Sequence, residues 1–113
     1  MIKIYHNPRC TKSRQALQLL EEKGVAHEVV KYMDEPLTPA ELSKLLAKLD
    51  IDAKDLVRTK EQIWKDEFAD KEMDDEELIL AMIEFPKLME RPIVEHGDKA
   101  VIGRPTEKIL EVL

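Results

Sequence analysis

Cys10, the only cysteine of the chain, is the residue best suited by type to act as a nucleophile, and it sits in the stretch His6-Asn7-Pro8-Arg9-Cys10-Thr11-Lys12-Ser13-Arg14. Ahead of it, residues 2–5 alternate about Lys3 as a short buried strand does, and Asn7-Pro8 marks a turn. Behind it, Ala16, Leu17 and Leu20 recur at helical spacing from Thr11 onward. Cys10 therefore falls at or just before a helix N-terminus, where unpaired backbone N–H groups and the positive end of the macrodipole favour an anion. Thiols in such places titrate at about 3.5 to 7.5 rather than near the free value of roughly 8.5. The sequence thus predicts a thiolate nucleophile at neutral pH. No acidic residue precedes Glu21, whereas Lys3, Arg9, Lys12 and Arg14 all lie in that span. A basic corner of this kind favours a small anionic substrate through its local field.

The spacing excludes two familiar chemistries. A phosphatase loop of the Cys-x5-Arg kind needs arginine where Ala16 stands, and the dithiol motif Cys-x-x-Cys is incomplete because its second position is Ser13. The site is monothiol, so an adduct on Cys10 must be resolved by an external thiol such as glutathione or a glutaredoxin. One cysteine with His6, His27 and His96 scattered along the chain offers no zinc-ligand spacing, and no metal is expected.

Composition bounds the rest. A chain of 113 residues is expected to form one domain. With 37% charged residues and a net charge of −6, its acidic surface does not suit nucleic acid. The acids concentrate in residues 66–77, which hold eight of them against the single Lys71. No apolar run approaches the roughly 20 residues of a membrane span, no secretory leader is visible at the N-terminus, and a lone cysteine fits a reducing compartment. A cytoplasmic setting without membrane attachment is expected.

The elements that must position Cys10 follow in order. Gly24 offers a helix stop, and residues 26–32 read as a second strand, giving a β-α-β unit with parallel strands and a right-handed crossover. Thr38-Pro39-Ala40-Glu41 combines an N-cap, proline at the first helical position and Glu at the third, ahead of Leu42, Leu45, Leu46 and Leu49 on one face. Residues 51–57 read as a short helix or turn. Residues 60–68 read as a helix with Trp64 as a core anchor. The acids at 74–77 cap a helix whose apolar face is Leu78, Ala81, Met82 and Phe85, stopped by Pro86. Residues 91–94 and 99–102 then flank His96-Gly97-Asp98 as an antiparallel hairpin. Gly103-Arg104-Pro105 opens a last helix bearing Ile109, Leu110 and Leu113. This order is α/β with a thioredoxin-like layout: a mixed four-stranded sheet in a single domain 1–113, with a helical insertion at about 38–88 between strands 2 and 3.

On these residues the chain resembles the glutaredoxin-coupled arsenate reductases (ArsC) and their ArsC-like relatives. The resemblance rests on His6-Asn7-Pro8-x-Cys10 with Ser13-Arg14, on Leu56-Val57-Arg58, on Arg91-Pro92-Ile93-Val94 and on Gly103-Arg104-Pro105, and it runs from Ile2 to the last helix. It implies that Cys10 attacks arsenate and that Arg58, Arg91 and Arg104 bind the oxyanion. His6 is similar to the histidine that helps to depress the cysteine pKa, Ser13 and Arg14 stand in support, and Arg91-Pro92 resembles the cis peptide beside the thiol of thioredoxin-like folds. Forked, permanently charged guanidinium groups suit a tetrahedral oxyanion. The implied cycle passes through a thiol-arsenate adduct, reduction by glutathione and regeneration by glutaredoxin, in a monomer with no bound cofactor. His6 as a packing residue and Arg58 as a helix-end residue remain open readings. Two rival functions stand beside this one: an ArsC-like glutathione-dependent thiol oxidoreductase with another substrate, and a regulator of the Spx type, from whose usual Cys-x-x-Cys Ser13 departs.

Overall fold

Ile2–Tyr5 (β1) lies parallel to His27–Val30 (β2) on one side and antiparallel to Ile93–His96 (β3) on the other, and Lys99–Ile102 (β4) runs antiparallel to β3. The sheet order is β2-β1-β3-β4 in the computed structural model, which describes residues 1–113. Between β1 and β2 runs Thr11–Glu22 (α1). Between β2 and β3 come Pro39–Leu49 (α2), Ala53–Leu56 (α3), Gln62–Glu67 (α4), Asp75–Glu84 (α5) and a 3-10 turn at Pro86–Leu88. The α/β class, the mixed sheet and the helices between its second and third strands are as the sequence predicts. The chain divides into two units, Met1–Glu35 with Arg91–Leu113, and Pro36–Glu90.

In the first unit, alternation along β1 puts Ile2 and Ile4 on one face. With Val94 they meet Ala16 and Leu20 of α1 and Ile109 and Val112 from the chain's end. α1 stops at Gly24, whose φ of +66° is the left-handed conformation that glycine adopts without a Cβ clash. The hairpin closes through Gly97-Asp98, with His96 opposite Lys99. β2 is shorter than residues 26–32, and β3 begins after Pro92, which has no N–H to give to a ladder. The Arg91-Pro92 and Arg104-Pro105 peptides are both cis.

The last element departs from expectation. It is a 3-10 segment, Thr106–Glu111, in which Ile109 and Val112 are buried while Leu110 and Leu113 are 48% and 40% exposed. Val112 N–H donates to the Ile109 carbonyl three residues back, so the buried pair follows a period of three rather than 3.6.

In the second unit, α2 opens on the expected reciprocal cap: Glu41 N–H donates to Thr38 Oγ1 at 3.1 Å and Thr38 N–H to Glu41 Oε1 at 2.9 Å. α5 repeats the device with Asp74 and Glu77 and buries Leu78, Ile79, Ala81 and Met82. Phe85 is the helix C-cap rather than a member of that face. Trp64 is not a core anchor. α4 is too short to bury a full face and has no buried residue, and Trp64 stacks on Phe68 with ring centres 5.8 Å apart.

Candidate active site

Cys10 is the N-cap of α1, in extended conformation, with its side chain 8% exposed. Asn7 organises the loop that delivers it. The Asn7 carbonyl accepts from Cys10 N–H at 3.0 Å, its Oδ1 accepts from Arg9 N–H at 3.0 Å, and its own N–H donates to Ser13 Oγ at 3.0 Å. Sequence reasoning read Asn7-Pro8 only as a turn and missed this role, although an Asn side chain that accepts from the backbone two residues on is the signature of an Asx turn. Arg14 closes the loop from the helix side. Its Nη1 donates to the Pro8 carbonyl at 2.8 Å and its Nη2 to Thr11 Oγ1 at 3.2 Å. The first turn of α1 holds no acidic residue, so nothing offsets its positive end next to the sulfur.

The guanidinium in contact with the thiol is that of Arg104. Its Nη2 lies 3.6 Å from Cys10 Sγ while its Nε donates to the Arg91 carbonyl at 2.6 Å. Arg91 itself is half-buried, and its Nε has no hydrogen-bond partner. A buried guanidinium N–H without an acceptor is costly unless a ligand supplies one, which suits an oxyanion.

His6 is held from the start of the same helix. It is buried, and its Nδ1 lies 2.6 Å from Ser13 Oγ, itself fully buried. Burial pushes the His6 pKa below its ordinary value, the Lys31 and Arg14 cations push the same way, and only a hydrogen bond with the Ser13 backbone opposes them. The ring is therefore neutral at pH 7. His6 Nδ1 and the Asn7 N–H thus converge on the one Ser13 oxygen. The cation beside the thiol is Arg104.

Cys10, Arg91 and Arg104, with His6, Ser13 and Arg14, all belong to the first unit. Arg58 belongs to the second, where its Nη1 pairs with Glu61 Oε1 at 2.7 Å, its Nε lies 3.9 Å from Glu90 Oε1, and its backbone N–H donates to the Leu88 carbonyl. The first unit carries ten cationic side chains against nine carboxylates, and the second eight against fifteen, so the net negative charge resides in the second. No three His, Cys, Asp or Glu side chains are grouped to hold a metal.

A mixed sheet that opens β-α-β, with a thiol at the start of its first helix and a closing hairpin entered through Arg91-Pro92, defines a thioredoxin-like thiol protein. The chain belongs to the ArsC family, whose model matches residues 5–112. It is 47% identical to an arsenate reductase of Neisseria meningitidis serogroup A, over 99% of this chain and 97% of that one. It is 51% identical to the uncharacterized protein YfgD of Escherichia coli K12, over 99% and 96% of the two chains. The solved structure of an arsenate reductase from Vibrio cholerae matches it with a TM-score of 0.94 at 42% identity, covering 99% of this chain and 97% of that one.

Proposed function

We propose that this chain is an arsenate reductase that uses Cys10 as its nucleophile and glutathione with glutaredoxin as its reductants. The observation that carries the reading is the Arg104 guanidinium 3.6 Å from Cys10 Sγ, at a helix start with no carboxylate in its first turn. That pairing suits a sulfur that must approach an anion, because the guanidinium and the helix dipole attract both. Relatives named arsenate reductase, similar over almost the whole chain, support the choice of oxyanion.

In the proposed cycle the Cys10 thiolate attacks arsenic(V), an S–As bond forms, and one arsenate oxygen leaves as hydroxide. Arg91, through its unpartnered Nε, and Arg104 hold the remaining oxygens and disperse their charge. Glutathione thiolate then attacks the Cys10 sulfur. The S–As bond breaks with its electron pair on arsenic, which leaves as arsenite, and a mixed disulfide between Cys10 and glutathione remains. A glutaredoxin thiolate takes the glutathionyl group and releases the Cys10 thiolate. Arg58 enters by family resemblance, and one of its donors, Nη1, is already paired with Glu61 at 2.7 Å. We assign the chain a monomeric, cytoplasmic role that needs no bound cofactor.

The test is steady-state turnover with arsenate, glutathione and glutaredoxin. Arsenate-dependent thiol consumption that disappears in Cys10→Ser is expected. Thiol consumption that ignores arsenate would reject the reading in favour of a thiol oxidoreductase of another substrate.

A further inference from the structure

Arg104 is the exposed end of a segment whose other end is wedged into the core, and the wedge is Gly103. A Cβ on Gly103 would lie 3.1 Å from Pro92 Cγ and 3.2 Å from both Cγ1 and Cδ1 of Ile109. Those neighbours are buried almost completely, so neither can swing into solvent to make room. The φ of Gly103 is not left-handed, so the requirement is space rather than backbone conformation. Hydrogen bonds tie the same few residues together: Gly103 N–H donates to the Pro92 carbonyl at 2.8 Å, Arg104 N–H to the Ile102 carbonyl at 2.8 Å, and Arg104 Nε to the Arg91 carbonyl at 2.6 Å.

We infer that Gly103 is a positioning residue that holds Arg104 against Cys10 by letting the backbone lie directly on Pro92 and Ile109. A methyl group added there must be absorbed by the strip of chain that is free to move, which is the Gly103-Arg104 backbone. The Arg104 guanidinium then leaves the Arg91 carbonyl and the sulfur, whose 3.6 Å separation has little slack. The inference rests on the oxyanion reading of the site.

The test compares the rates at which Cys10 reacts with iodoacetate and iodoacetamide, which share a mechanism and differ by one negative charge. A change in stability or thiol exposure moves both rates together, whereas loss of a cation at the sulfur lowers their ratio. Arg104→Ala is expected to lower the iodoacetate-to-iodoacetamide ratio by about three- to fivefold, the size of one charge acting over a few ångströms in a water-like medium. Gly103→Ala, with folding checked by its thermal melt, is expected to lower the ratio by at least half of the wild-type value. Should Gly103→Ala give too little folded protein, the same rates are read on Gly103→Ala/Ile109→Val. That pair removes only Cδ1 and leaves the Pro92 and Cγ1 contacts, and the same loss is expected. A wild-type ratio in a folded Gly103 variant, with the Arg104→Ala ratio lowered, overturns the positioning role alone. An unchanged ratio in Arg104→Ala overturns it together with the anion-binding reading.

Discussion

Ser13→Ala removes a single oxygen from a position with no solvent exposure. That oxygen is 2.6 Å from His6 Nδ1 and 3.0 Å from Asn7 N, so its loss strands two polar groups. A buried polar group left without a partner costs about 1–3 kcal/mol. The full range applies to His6, which is buried, whereas Asn7 is half-buried and water can replace part of what it loses. A total loss of about 1.5–3 kcal/mol is expected, which for a chain of this size lowers Tm by roughly 4 °C per kcal/mol. Urea unfolding near neutral pH should show a lower midpoint at unchanged slope. A double-mutant cycle with His6→Ala should return a coupling of about 1 kcal/mol, because the two side chains share the bond that is broken. Additive effects of the two changes, or a loss for Ser13→Ala below about 0.5 kcal/mol, would refute the hydrogen-bonded hub described above.

The pKa of His6 is lowered below its ordinary 6.5 in the folded chain, so below pH 6.5 the unfolded chain binds the extra proton first. Stability should be full above that pH and fall as pH drops from about 6.5 toward the lowered folded value, then level off. Urea midpoints across this window should show the fall in wild type and its absence in His6→Gln. Arg91→Lys keeps a charge but loses the fork, and it also removes the Nε that has no partner. Arsenate turnover should drop by roughly tenfold while the unfolding midpoint holds; a parallel loss of stability and rate would contradict the oxyanion role. Thr38→Ala, which deletes the α2 cap, should cost about 1 kcal/mol in thermal or urea unfolding. Its rate of Cys10 alkylation should match wild type.

What could be read from the sequence was what depends on local rules. The cap at Thr38 and Glu41, the stop at Gly24 and the turn at Gly97-Asp98 each need particular residue types at fixed spacing, and each is where it was expected. The start of α1 at Cys10 follows from the same kind of rule, and the thiol could be placed before any coordinates. Over a six-residue segment, however, periods of 3 and 3.6 nearly coincide, so the sequence suggested Leu110 and Leu113 beside Ile109, while the 3-10 geometry buries Ile109 with Val112. Trp64 was assigned to the core on its type, but burial depends on how much helix surrounds a ring, and α4 offers six residues. The neutral state of His6 was invisible for a different reason. It depends on burial and on Lys31, which is distant in sequence and brought near only when β2 aligns with β1.

Because the loop around Cys10 is stitched by Asn7, Ser13 and Arg14 rather than by a second sulfur, its shape has no covalent link to lose or exchange. A maleimide dye or an isotope label would couple at one address with a stoichiometry of one. Its signal would come from the start of the first helix alone, with no engineering needed to silence other sites. The chain is thus its own reporter, and ligand arrival can be followed optically in the unaltered sequence by protection of that single sulfhydryl.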